Sequence, residues 1–136
     1  MSEENVELAR RIHQAWNDRD LETIRALADP EVEYVNSPTA VEPGTRHGHE
    51  GLTIVVQTQW EMLSGGRLEI ERIYDRGEEV IVLSLLSRQM PGSEDRIEAQ
   101  SLLSYKFRDG KLIRAEALAF GPGEVQEALQ AAGLSG

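Results

Sequence analysis

The sequence has 136 residues, of which 40% are hydrophobic and 28% charged, and its formal net charge is -10 at pH 7. This length and composition predict one folded domain over residues 1–136 and exclude a disordered chain. The acidic balance argues against nucleic acid and anionic membranes as partners, because both are bound through basic surfaces.

The chain has no cysteine, which excludes disulfides, iron–sulfur clusters, thiolate zinc sites and cysteine nucleophiles. No apolar run approaches membrane-spanning length, and the first residues are acidic where a secretion signal would be basic. We therefore expect a cytoplasmic protein.

Two short amphipathic helices are predicted at the start of the chain. Apolar residues recur at helical spacing from Val6 to Trp16, and Ser2 can cap this first helix. The segment 17–20 breaks the pattern, and Asp20 can cap a second helix over 21–28. Asp29-Pro30 then ends that helix, because a residue before proline avoids the helical conformation.

The next stretch, residues 31–38, alternates as a strand, with Val32, Tyr34 and Asn36 on one face. Helices precede this strand and strands follow it, so one of its faces must look at the helices. A phenol and an amide on a buried face need partners or a ligand. The strand is the first indication of a pocket.

The remainder of the chain predicts a loop, a helix, a sheet and a closing helix. Residues 37–48 contain prolines and glycines without periodicity, which favours a long loop. A third helix carries Leu52, Val56, Trp60 and Leu63 at 3-to-4 spacing. The predicted strands are 68–73, 80–90, 97–107 and 111–120, followed by a helix over 124–132. This order indicates an α+β fold.

Four local motifs resemble the SnoaL-like branch of the nuclear-transport-factor-2-like superfamily. They are Ala15-Trp-Asn-Asp-Arg-Asp20-Leu, Ala28-Asp-Pro-Glu-Val-Glu-Tyr34, Arg46-His-Gly48-His-Glu-Gly51 and Phe107-Arg-Asp-Gly-Lys111. The resemblance implies a cone-shaped, curved antiparallel or mixed sheet wrapped around three N-terminal helices, with a short C-terminal helix. It also implies an apolar pocket, no cofactor and a homodimer through the outer sheet face, the side of the sheet turned away from those helices. Isomerases, hydrolases, dehydratases, polyketide cyclases and non-catalytic modules share this fold, so the fold alone does not assign an activity.

Two enzymes of the superfamily can be compared residue by residue. Tyr34-Val-Asn36-Ser-Pro38 is similar to the strand with which limonene-epoxide hydrolases hold their attacking water. The acids and the arginine that these hydrolases require would fall on Ser84, Leu86 and Ala117, which cannot do that chemistry. The catalytic groups of steroid isomerases would fall on residues that cannot transfer the proton: Asn36 or Ser37, Leu103 and Ile12.

We therefore predict a ligand-binding pocket without assigning a catalytic residue. Its candidate residues are Tyr34, Asn36, Trp60, Ser84, Leu86 and Leu103. Trp60 has two interpretations, a core aromatic or a ligand contact.

Four further side chains have open roles. His13 can be a core histidine or reach the pocket, and Arg88 can lie at the pocket rim or form a surface pair. His47 and His49 resemble metal ligands, but no third ligand is evident, so we predict no metal site.

Three functional hypotheses follow. The first is a small-molecule pocket protein that binds an apolar or ring-bearing metabolite, with Tyr34 and Asn36 as polar anchors. The second is an isomerase, cyclase or hydrolase in which Tyr34 and Asn36 position water or an oxyanion. The third is a non-catalytic dimeric assembly module whose interior is filled by its own side chains.

Overall fold

The computed structural model describes residues 2–36, 44–89 and 92–134. The elements are α1 (Ser2–Asn17), α2 (Leu21–Leu27), β1 (Ala28–Asn36), β2 (Gly44–His47), α3 (Gly48–Met62), β3 (Arg67–Arg76), β4 (Glu79–Gln89), β5 (Arg96–Arg108), β6 (Lys111–Phe120) and α4 (Pro122–Ala131). Within the described ranges, no helix is both long and apolar enough to cross a membrane.

The first two helices form where the sequence predicts them. The turn between them uses Arg19 in the left-handed region, with φ 58°, and its guanidinium donates to the carbonyls of Trp16 and Gly66 at 3.0 and 2.8 Å. Asp20 caps α2 by accepting from the Thr23 amide at 3.1 Å. Helix α2 ends at Leu27, as the proline two residues after Ala28 requires.

The six strands form one mixed sheet in the order β2-β1-β6-β5-β4-β3. Strand β1 pairs with β6 in parallel, and all the other neighbours are antiparallel. Helices α1, α2 and α3 cover one face, where Val32, Val80 and Val82 are fully buried in the main core. The predicted α+β cone with three N-terminal helices and a short C-terminal helix is confirmed.

Helix α4 packs on the opposite, outer face of the sheet. Its Val125 and Leu129 are buried in a second core with Leu102 of β5. Beside them, the hydroxyl of Ser104 donates to Glu79 at 2.6 Å. The outer face of β5 carries Glu98, Gln100, Leu102, Ser104 and Lys106. Leu102 and Ser104 are buried within the chain, so a dimer contact through this face, which stays a prediction, is left with the other three.

The predicted loop over 37–48 also needs correction. Gly44 to His47 form the short strand β2, which pairs antiparallel with β1 from Glu33 to Asn36. Three of these four residues are exposed, so β2 lacks the apolar alternation by which strands are recognised. Residues 37–43 lie outside the described residues.

Candidate functional site

A cavity of about 170 Å³ lies between the inner face of the sheet and helices α1, α2 and α3. Its walls are mainly apolar, with a small number of polar groups. The lining residues are Ile12, His13, Trp16, Ile24, Tyr34, Leu52, Val56, Gln59, Leu63, Leu68, Leu86, Ser101, Leu103, Tyr105, Leu112, Ala115, Ala117, Ala119 and Phe120. Phe120 is 51% exposed, so the cavity reaches the molecular surface beside this ring.

Three of the six candidate pocket residues line this cavity, namely Tyr34, Leu86 and Leu103. They come from β1, β4 and β5, and each lies on the face that the strand alternation assigns to the helices. The structure thus brings together side chains from three strands at one cavity wall. Their binding of a ligand stays a prediction.

The other three candidates lie outside the lining. Asn36 is half-buried at the end of β1, where it pairs with Gly44. Trp60 packs against Trp16 with ring centroids 6.5 Å apart, and its indole N–H donates to the Trp16 carbonyl at 3.1 Å. Ser84 is fully buried with its hydroxyl against the imidazole of His13, so His13 stands between Ser84 and the cavity.

The hydroxyl of Tyr34 is held by side chains from two helices. Gln59 of α3 donates to Tyr34 Oη at 3.1 Å, and Gln59 Oε1 accepts from the indole N–H of Trp16 at 2.9 Å. Burial raises the pKa of Tyr34, and the hydrogen bond from Gln59 partly opposes that shift. The phenol is therefore a neutral, oriented hydrogen-bonding group in the cavity wall.

A second polar group is built around His13, which lines the cavity from α1. Its Nε2 lies 3.0 Å from Tyr105 Oη, and its Nδ1 lies 3.5 Å from Ser84 Oγ. Burial lowers the pKa of His13 to about 4, so the imidazole is neutral at pH 7. Burial also raises the pKa of Tyr105 far above its usual range, with a smaller contribution from nearby Tyr34.

Ser101 adds a polar atom without a partner. Its hydroxyl is buried and makes no hydrogen bond among the described residues, although the side chain borders the cavity. A buried hydroxyl without a partner is costly, so Ser101 is available to a polar group entering the cavity.

Sequence reasoning missed Gln59, which links Trp16 to Tyr34. A signal was present, because Gln59 continues the helical series Leu52, Val56 and Leu63. The neighbouring Trp60, which the sequence analysis predicts as a pocket residue, packs its ring against Trp16 of α1 instead.

The remaining open residues lie away from the cavity lining. His47 is exposed, with Nδ1 3.5 Å from Glu33, and His49 Nε2 lies 2.9 Å from the Ala28 carbonyl. Arg88 donates to the Met62 carbonyl at 3.2 Å. In the part of the chain that the structure describes, no three His, Asp or Glu residues are grouped to hold a metal ion.

Known proteins share this fold, and a family model matches most of the chain. The family model of the SnoaL-like domain matches residues 9–115. No curated protein matches the sequence. Among solved structures, TerC, co-crystallised with polyporic acid, is 25% identical with a TM-score of 0.74, covering 93% of this chain and 98% of TerC.

Two further structures share the fold at lower identity. IdmH from Streptomyces antibioticus, a proposed polyketide cyclase, is 20% identical with a TM-score of 0.75, covering 92% of this chain and 97% of IdmH. Bal32a, from a soil-derived mobile gene cassette, is 19% identical with a TM-score of 0.75, covering 88% of this chain and 90% of Bal32a. The family match, which spans most of the chain, shows that this protein belongs to the SnoaL-like domain family of the nuclear-transport-factor-2-like superfamily.

Proposed function

We propose that this protein binds a small, mostly apolar, ring-bearing metabolite in the cavity between the sheet and the helices. The observation that carries the proposal is an apolar cavity of about 170 Å³ with the Tyr34 hydroxyl in its wall. An aliphatic and aromatic cavity of about 150 Å³ binds benzene in another protein. The size therefore suits a ligand of one or two rings.

Two similar proteins support a small-molecule ligand. TerC was co-crystallised with polyporic acid, and IdmH is a proposed polyketide cyclase. In the present chain, Tyr34 would serve as the polar anchor, while Leu86 and Leu103 would contact the apolar part of the ligand. Asn36, at the end of the same strand, would serve as a second polar anchor. Trp60 and Ser84 would contribute by positioning Trp16 and His13.

We also propose that the protein is cytoplasmic and forms a homodimer through the part of the outer sheet face that α4 leaves uncovered. The net charge of -10 supports neither nucleic acid nor an anionic membrane as a partner. Light scattering on the purified protein would test the dimer, and a monomer mass at micromolar concentration would contradict it.

Ligand binding can be tested by a thermal-shift screen of one- and two-ring compounds such as indole, naphthol and acetophenone. Bound ligand stabilises the native state, so hits should raise the melting temperature with increasing concentration. Leu103→Trp would fill the cavity and should abolish the shift, whereas Tyr74→Phe, on the outer face, should retain it. Equal shifts in Leu103→Trp and the wild type would contradict binding in this cavity.

The second candidate function is an isomerase, cyclase or hydrolase acting on such a metabolite. The neutral imidazole of His13 beside Tyr105 favours it, because this pair places a base in the cavity. Tyr34 and Asn36 would then position water or an oxyanion. The activity of such an enzyme should fall as the pH decreases through about 4, because His13 then becomes protonated. If the rates of the wild type and of His13→Gln are both independent of pH, a role for His13 is contradicted.

The third hypothesis, a non-catalytic assembly module with a filled interior, receives no support from a cavity of about 170 Å³. A dimer that shows no thermal shift with any compound of the screen would favour it.

A further inference from the structure

One arginine lies just outside the cavity lining. Arg88 follows Leu86 by two residues on β4, so both are on the same face of the strand, with Cα atoms about 7 Å apart. Leu86 lines the cavity, and so does Leu63, the residue after Met62. The Arg88 guanidinium donates through Nη1 to the Met62 carbonyl at 3.2 Å. It is therefore held at the rim of the cavity, where α3 ends beside β4.

One edge of this guanidinium has no partner. Nη1 bonds the Met62 carbonyl, whereas Nε is buried and makes no hydrogen bond among the described residues. Within the same ranges, no acid forms an ion pair with Arg88. Nε and Nη2 form the edge through which arginine binds a carboxylate by two parallel hydrogen bonds. Because a buried charged donor without an acceptor is costly, this edge is suited to an acceptor from outside the chain.

Capping of α3 does not account for the whole arrangement. A cation at the carboxyl end of a helix is stabilised by the helix dipole, and the bond from Nη1 to Met62 supplies that contact. It uses one of the five N–H groups of the guanidinium. The buried Nε lies on the other edge and takes no part in the cap.

Exposed apolar side chains adjoin Arg88. Ile97 of β5 is its Cα partner in the antiparallel pair, and both Ile97 and Met62 are exposed. In the described ranges, only two other large hydrophobic side chains, Ile54 and Phe120, are exposed. A cation flanked by exposed apolar groups, next to an apolar cavity, suits a molecule that is apolar at one end and anionic at the other.

We propose that Arg88 forms an anion-binding site at the cavity rim, which binds the carboxylate of a ligand whose ring occupies the cavity. The inference rests on the proposed function and narrows its ligand class to ring compounds that carry a short acidic side chain. The net charge of -10 opposes a general attraction of anions to this protein. None of the described lining residues is a lysine or an arginine. Selection of a carboxylate would therefore depend on a cation at the rim.

The test compares phenylbutyrate with phenylbutyramide, which share the ring and the spacer but differ in the charge of the end group. Calorimetry gives their affinities for the wild type, Arg88→Gln and the control Arg96→Gln. Arg96 lies on the adjacent strand but donates to Ser87, on the outer face, at 3.0 Å. We expect the wild type and Arg96→Gln to bind the carboxylate about tenfold more tightly than the amide. Arg88→Gln should lose this preference and keep its affinity for the amide.

The length of the spacer provides a second measurement on the wild type alone. Since the cavity and the guanidinium have fixed positions, the preference for the carboxylate should be largest for one member of the series phenylacetate, phenylpropionate and phenylbutyrate. A preference that does not change along the series would overturn the inference, even if Arg88→Gln does not fold.

The remaining outcomes separate this inference from the proposed function. If the amides bind the wild type, and Leu103→Trp abolishes their binding, the proposed function stands. Carboxylates that then bind no better than the amides, or an equal preference in Arg88→Gln and the wild type, would refute the site at Arg88. If neither kind of probe binds the wild type, the proposed function fails together with the inference.

Discussion

Replacing His13 by glutamine should remove a large pH dependence from the stability of the fold. Burial lowers the pKa of this imidazole from 6.5 to about 4. The unfolded chain thus takes up a proton at a higher pH than the folded chain, so acid favours unfolding. The stabilisation is complete above pH 6.5 and is lost as the pH falls to about 4. At roughly 1.4 kcal/mol per pH unit, the loss amounts to about 3 kcal/mol.

Urea unfolding of the wild type and His13→Gln at several pH values between 7 and 4 measures this effect. Carboxyl groups also titrate in this range, so the informative quantity is the difference between the two free energies of unfolding. His47→Gln removes an exposed imidazole and controls for the loss of one histidine from the unfolded chain. A difference that stays constant from pH 7 to pH 4 would refute the burial of a neutral His13.

Three further substitutions test packing and hydrogen bonding on both faces of the sheet by urea unfolding at pH 7. Ser101→Ala removes a buried hydroxyl without a partner and should stabilise the protein by about 1 kcal/mol; a loss of stability would contradict this. Leu129→Ala should cost about 3 kcal/mol by opening the second core beneath α4, without weakening ligand binding on the other face of the sheet. Asn17→Ala removes two hydrogen bonds of 2.8 Å to the backbone of Leu68 and should cost about 2 kcal/mol; a neutral effect would show that these bonds are dispensable.

Local signals in the sequence predicted the elements well. The cap at Asp20 and the helix break before Pro30 depend on neighbours a few residues away, and the structure follows both of them. Strand β2 was missed because its exposed residues carry no apolar pattern, and it forms through pairing with β1.

The site was predictable only in part. The spacing of residues indicates which face of an element a side chain lies on, but it does not indicate which side chains of other elements cover that face. Tyr34 and Leu86 face the cavity, while Ser84, on the same face as Leu86, is screened by His13 from another element. On α3, one residue corresponds to a rotation of about 100°. That step separates Gln59, which lines the cavity, from Trp60, which does not.

The parallel pairing of β1 with β6 sets the time at which the cavity can form during synthesis. The ribosome releases all of α1, α2, β1 and α3 long before it reaches Ala115, the residue that joins Tyr34 to Tyr105. Until then Tyr34 and Tyr105 have no strand between them, and contacts of such long sequence separation form late and slowly. A chain that stops before β6 would lack five residues of the cavity wall, namely Leu112, Ala115, Ala117, Ala119 and Phe120.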